Sequence, residues 1–136
     1  MSWRESLIRI STYEVEVLQK RLSEVVERRW AVEIRLAALE AEVEAEVARS
    51  RADAEANFYL VGFRQGARIR RERLNAELAG IEAEEAGARD ALAEAFEAQK
   101  KFEQVAESAR LAEAHEAARR ETAELDEMGL RLSARR

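Results

Sequence analysis

The feature that most constrains this chain is a heptad repeat near its start. Apolar residues recur at alternating steps of three and four over residues 8–43, and nine of the eleven positions are aliphatic. The positions are Ile8, Ser11, Val15, Leu18, Leu22, Val25, Arg29, Val32, Leu36, Leu39 and Val43. A stripe this narrow is buried by one or two other helices rather than by a broad core. The repeat therefore predicts a coiled coil.

Composition supports helices throughout the chain. The 136 residues include no proline and five glycines, and 38% of them are charged. This bias is typical of long helices and not of a sheet protein. No cysteine is present, and neither a signal peptide nor a run of eighteen uncharged apolar residues is visible. We therefore expect a single cytoplasmic domain over residues 1–136.

A second heptad repeat follows a change of pattern. Its positions are Leu74, Leu78, Ile81, Glu85, Ala88, Leu92, Ala95, Gln99, Phe102, Ala106 and Ala109. Residues 57–67 between the two repeats hold three aromatics and two glycines, Gly62 and Gly66, which indicate a bend. The predicted fold is all-α: a long two-helix antiparallel coiled-coil hairpin with an overhanging C-terminal helix. Helix 1 is expected over about 2–56, starting at an S-x-x-E cap at Ser2, and helix 2 over about 68–133.

The two repeats can be matched in an antiparallel pair. One matching centres the bend on Gly62 and places Arg29 opposite Ala95, although a shift of one heptad in either direction would preserve both repeats. Polar residues inside the repeats can extend to solvent or fix the register. In this matching residues 124–136 have no partner within the hairpin. Leu125, Met128 and Leu132 form an apolar stripe there, which indicates either a partner-binding end or a frayed tail.

The predicted bend offers two further alternatives. Its aromatics, Phe58, Tyr59 and Phe63, either plug the end of the two-helix core or form a docking surface, and the plug is favoured because an isolated apolar bend must first cover itself. Five arginines lie at positions 64–73. We interpret them as balancing an acidic neighbour, with protein docking and phosphate binding as alternatives.

Residues typical of catalysis are missing from the sequence. His115 begins a stretch that resembles the zinc helix H-E-x-x-H, but Arg119 stands where the second histidine would be. There is no phosphate-binding glycine loop and no nucleophile paired with a base. We therefore expect no enzyme activity, no metal and no cofactor, and the net charge of -5 argues against a nucleic-acid partner.

The sequence resembles the flagellar FliJ family over nearly its whole length. Two patterns of residues near the ends carry the resemblance. They are Leu7, Arg9, Glu14, Glu16, Leu18, Arg21 and Leu22 at the start, and Arg120, Glu121, Leu125, Asp126, Glu127, Met128 and Arg131 at the end. Where the family pattern leads us to expect a basic residue before the last segment, this chain has Ala123 and Glu124.

The resemblance implies a hairpin similar to the central stalk of rotary ATPases. Such a stalk inserts into the hexameric flagellar export ATPase, promotes its assembly and activity, and links it to the membrane export gate protein; export chaperones are further possible partners. It would be cytoplasmic and peripherally associated with the membrane at the flagellar base. The implied ATPase contacts are Arg120, Glu121, Leu125, Asp126, Glu127, Met128 and Arg131. A second assignment rests on geometry alone. It predicts that the export gate protein is contacted by Phe58, Tyr59, Phe63, Arg68 and Arg71.

The sequence is also compatible with three alternatives. The stalk of a virulence type III secretion system would have the same design. A structural coiled-coil protein could self-associate through the same heptads. A nucleic-acid binder could use the arginine cluster, and its affinity would then fall steeply with salt.

Overall fold

A computed structural model describes residues 2–135 of the chain and contains two α-helices over that range. Helix α1 spans Trp3–Ala52 and helix α2 spans Ala54–Ala134. No strand occurs between residues 2 and 135. The prediction of an all-α protein built from two helices is thus confirmed.

Helix α1 begins at the predicted cap. The Ser2 hydroxyl accepts a hydrogen bond from the backbone N–H of Glu5 at 3.3 Å, and the Glu5 carboxylate accepts one from the N–H of Ser2 at 3.4 Å. The Ser2 carbonyl also accepts the first intrahelical bond, from Ser6 at 3.1 Å. This reciprocal arrangement is a capping box, which satisfies donors that a helix start otherwise leaves without partners.

The predicted bend at residues 57–67 is wrong, because these residues are helical. The break between the helices is Asp53, whose carboxylate accepts a hydrogen bond from the N–H of Glu55 at 3.0 Å and so caps α2. No glycine in residues 2–135 has a positive φ. Gly62 and Gly66 therefore sit inside α2, where each costs only about 1 kcal/mol relative to alanine. Helix 1 accordingly ends before residue 56, and helix 2 begins well before residue 68.

The described chain divides into two compact units, each of which draws on both helices. The first is Val15–Ala93, and the second combines the described residues up to Glu14 with those from Glu94 onwards. The core of the first unit comes from both heptad repeats and from the stretch 57–67 between them. Its buried members are Val25, Val32, Leu39, Ala67, Leu74 and Ile81. Leu36, Val43, Phe63 and Leu78 pack against them and are half-buried.

Ion pairs in the first unit fix the order in which the helices meet. Pairs that join α1 to α2 include Arg28 with Glu84 at 2.7 Å, Arg35 with Glu77 at 3.4 Å, and Glu42 with Arg70 at 3.3 Å. Rising residue numbers in α1 thus meet falling numbers in α2, as expected for antiparallel neighbours.

The predicted matching of the two repeats is also wrong. Arg29 approaches Glu85, at 3.2 Å between Arg29 Nε and Glu85 Oε1, and not Ala95, which lies ten positions further along α2. The physical reason is twofold. First, the break lies at Asp53 and not near Gly62. Second, the observed matching brings Arg29 and Glu85 together, whereas the predicted matching would bury each charge away from the other.

The second unit packs the start of α1 against the later part of α2. Ser11, Ala95 and Ala106 are buried, and Ser11 donates its hydroxyl proton to the carbonyl of Ile8 at 2.9 Å. The Gln99 amide donates to the Thr12 hydroxyl at 3.2 Å. Gln99, which interrupts the heptad repeat, therefore has a polar partner on the opposite helix.

Candidate partner-binding surfaces

The last part of α2 is exposed on all sides. Every residue of 117–135, here called the C-terminal arm, is exposed. Leu125, Met128 and Leu132 lie three and four positions apart and share one face, with 61%, 58% and 59% of their surfaces accessible. Leu130, at 71%, lies on the opposite face. The predicted apolar stripe is present. The exposed end of α2 begins before residue 124, because the two helices are matched differently from the prediction.

Charged side chains of the arm pair mainly along their own helix. Arg131 contacts Glu127 at 2.9 Å, Arg120 contacts Glu116 at 3.8 Å, and Arg119 also pairs with Glu116. These pairs are solvent-exposed and contribute little to stability. Because they extend along the arm and leave the apolar stripe uncovered, Arg120, Glu127 and Arg131 remain accessible together with Glu121 and Asp126.

A second exposed surface lies in the first turns of α2. Phe58 and Tyr59 are 80% and 65% exposed and contact each other edge to face, with 5.3 Å between ring centroids. Phe63 is half-buried against the core, and the Arg70 guanidinium lies 5.9 Å from the centre of its ring. The structure thus divides the predicted aromatic set. Phe63 covers the core, whereas Phe58 and Tyr59 face outward.

The arginine cluster is partly occupied by acids of α1. Arg71 contacts Glu40 at 2.5 Å and Arg70 contacts Glu42, while Arg68 is exposed. A hydrogen bond from Arg71 to Glu40, and then their mutual attraction, raises the pKa of Arg71. These contacts agree with the interpretation that the cluster balances an acidic neighbour. That neighbour is α1, and not the acids that follow in α2.

Five apolar side chains on the outer face of α1 are exposed to solvent. Ile10, Tyr13 and Ile34 are 65%, 69% and 68% exposed, and Trp3 and Trp30 are each more than half exposed. All five are apolar residues outside the heptad positions. That mismatch with the repeat is the signal in the sequence that could have identified them.

Neither a cluster of metal-binding side chains nor a helix that could span a membrane occurs in residues 2–135. Residues 2–135 contain no group of three or more histidine, cysteine or acidic side chains placed to hold a metal ion. His115 is exposed, on the same helix as Arg119. Over the same range, neither helix has a stretch apolar enough and long enough to span a membrane.

These features define a class of highly charged two-helix protein with an uncovered helical C-terminus. Two curated relatives specify the family: the flagellar FliJ proteins of Caulobacter vibrioides strains NA1000/CB15N and ATCC 19089/CB 15. Each is 48% identical over 132 residues, which cover 97% of this chain and 95% of the relative. The chain therefore belongs to the flagellar FliJ family. No family model matches it, and no solved structure matches it.

Proposed function

We propose that this protein is the non-enzymatic stalk of the flagellar type III protein export apparatus. In this role an antiparallel coiled-coil hairpin inserts its C-terminal arm into the hexameric export ATPase, promotes assembly and activity of the ring, and links it to the export gate. The protein then works in the cytoplasm, held at the membrane of the flagellar base by its partners.

The observation that carries the proposal is the uncovered stripe of the arm. Leu125, Met128 and Leu132 expose apolar surface on one face of a helix, which favours insertion into an apolar groove of a partner. Asp126, Glu127 and Arg131 flank the stripe and supply charges that can orient the helix in a ring. Membership of the flagellar FliJ family supports a flagellar setting over the stalk of a virulence secretion system.

A second surface supports contact with the export gate. Phe58 and Tyr59 offer exposed aromatic area, and Arg68 adds an exposed positive charge further along the same helix. Aromatic and arginine side chains contribute strongly to protein interfaces. The proposed surface also includes Phe63, which packs against the core, and Arg71, which pairs with Glu40 of α1.

The decisive experiment is a titration of the cognate flagellar export ATPase with the full chain and with a chain ending at Ala123. We expect the full chain to stimulate ATP hydrolysis and the shortened chain to lose most of that stimulation. A triple variant, Leu125→Ala, Met128→Ala and Leu132→Ala, should behave like the truncation, because alanine preserves the helix but removes the apolar stripe.

Leu130→Ala is the matched control, because Leu130 lies in the same arm but on the opposite face. It should stimulate the ATPase as the unaltered chain does. Equal stimulation by the triple variant would show that the stripe is not the contact surface. Absence of both stimulation and binding by the full chain would contradict the stalk function. Light scattering on the free chain would then test the alternative that the protein self-associates through its heptad repeats.

A further inference from the structure

An ion pair interrupts the apolar core of the unit Val15–Ala93. Arg29 and Glu85 occupy heptad positions, and their side chains are only 25% and 14% exposed. Arg29 Nε lies 3.2 Å from Glu85 Oε1 and is fully buried, although it donates no hydrogen bond within the described residues. Glu33 and Arg89, one turn away on the respective helices, add contacts of 3.3 Å and 3.4 Å.

A pair in this position is a poor source of stability. Removing two charged groups from water is costly, and apolar residues of similar size often do as well or better at such sites. The neighbouring heptad positions are filled by buried apolar residues: Val25 and Val32 in α1, and Ile81 and Ala88 in α2. The ion pair therefore replaces apolar packing in this layer of the core. Its presence calls for a role other than stabilisation.

Shifting one helix by a heptad along the other shows what this role can be. In one direction Arg29 would face Leu92, and Glu85 would face Leu36. In the other direction Arg29 would face Leu78, and Glu85 would face Leu22. In both shifted matchings each charge is placed against a leucine, so that neither charge keeps its partner on the opposite helix. Among these three matchings, only the observed one joins Arg29 to Glu85.

The segment that connects the helices does not by itself determine which of these matchings forms. A shift of one heptad moves the break along the chain by half a heptad, or three to four residues. Ser50, Asp53 and Asn57 lie at that spacing, and all three are residue types that cap helix starts well. No glycine in a left-handed conformation anchors the break at Asp53 within residues 2–135. The chain can therefore cap α2 at any of the three positions.

We propose that Arg29 and Glu85 act as a register lock: they select one axial matching of α1 and α2 from several that the heptad repeats allow. A buried polar pair can specify register at a cost in stability, as polar residues do at core positions of coiled coils. The lock is a property of the unit Val15–Ala93 and does not depend on any partner of the protein.

Cross-linking can test the lock because the chain has no native cysteine. Three double-cysteine variants report the matching, each combining Arg35→Cys with one substitution in α2. Glu77→Cys reports the observed matching, since Arg35 contacts Glu77 at 3.4 Å. Glu84→Cys and Arg70→Cys report shifts of one heptad in opposite directions. A short bis-maleimide then joins the pair that is close, and only monomeric cross-linked product is counted.

With Arg29 and Glu85 intact, we expect the 35/77 reporter to cross-link at least about tenfold more than either shifted reporter. After Arg29→Leu with Glu85→Leu, the shifted reporters should rise severalfold, while circular dichroism shows that helicity is retained. Glu40→Gln with Arg71→Gln is the matched control, because it removes an exposed ion pair of the same unit and should change no reporter.

Two results would overturn the proposal. If the double-leucine variant cross-links only at 35/77, the register is set elsewhere. If that variant loses its helicity, the ion pair stabilises the fold itself and does not choose among matchings.

Discussion

At the scale of single residues, charges across the two helices are arranged as complementary pairs. Arg28 lies 2.7 Å from Glu84, and a hydrogen bond from Arg28, followed by its charge, lowers the pKa of Glu84. Glu107 also has a lowered pKa, but its partner is Arg110 in the same helix. The pKa of Glu84 therefore reports a contact between the two helices, whereas the pKa of Glu107 reports a contact within one helix.

We predict that Arg28→Gln raises the pKa of Glu84 toward the ordinary glutamate value and leaves that of Glu107 unchanged. Because the folded-state pKa of Glu84 is lowered, its contribution to stability is present above the unfolded-state pKa and is lost as the pH falls through the folded-state pKa. Carboxyl carbon shifts followed by NMR across the acid range would measure both glutamates. An unchanged pKa of Glu84 would mean that the pair does not form in solution.

A second residue-scale prediction contrasts two aliphatic side chains of α1. Val32 is 2% exposed within the core, whereas Ile34 is 68% exposed. Val32→Ala should reduce the free energy of unfolding by about 2 kcal/mol through lost burial and an unfilled cavity. Ile34→Ala should change it by less than about 0.5 kcal/mol. Urea denaturation would measure both, and similar values would contradict the assignment of the core face.

At the scale of the elements, the main surprise is that α2 continues through residues 57–67. Gly62 and Gly66 have helical backbones, and a Cβ added at either position would meet no atom within 4 Å. In a helix these glycines are thus a cost without a packing benefit. In the bend that the sequence predicted, the same glycines would instead be needed for a positive φ.

We therefore predict that Gly62→Ala and Gly66→Ala each increase the free energy of unfolding by about 1 kcal/mol. Chemical denaturation of the two single variants and of the double variant would measure the effect. A decrease in stability would place the bend at these glycines after all, because alanine is strained where φ is positive.

The sequence allowed some of these elements to be predicted and not others. Two helices, the Ser2 cap and the apolar stripe at Leu125 follow from local patterns. The break at Asp53 does not, because a single capping residue in an alanine-rich stretch is a weaker signal than two glycines among aromatics. The matching of the helices was missed because the bend was placed at Gly62, which shifted the predicted partner of Arg29 by ten positions, from Glu85 to Ala95.

At the scale of the whole molecule, packing is distributed unevenly along the chain. Buried residues occur from Ser11 to Ala106, and every residue of the C-terminal arm is exposed. Most helical stability in proteins comes from tertiary packing and not from helix propensity. The arm is therefore the part of the described chain whose helical structure has the least support.

We predict a gradient of amide hydrogen exchange along α2. Amides near Ile81 should exchange slowly, at rates set by unfolding of the core, whereas those of residues 117–135 should exchange by local fraying at much faster rates. Mass spectrometry of exchanged peptides would measure this gradient. Slow exchange in the arm of the free protein would mean that another chain already covers it.

The exposed arm also makes this protein vulnerable to digestion. Trypsin cuts after arginine in segments that can unfold locally, and the arm offers Arg119, Arg120 and Arg131 at positions without tertiary packing. Trace protease in a purified sample would therefore remove the arm first and leave the packed helices intact. Such a sample would still give a helical spectrum and a cooperative melt, yet it would lack the segment that we propose enters the ATPase.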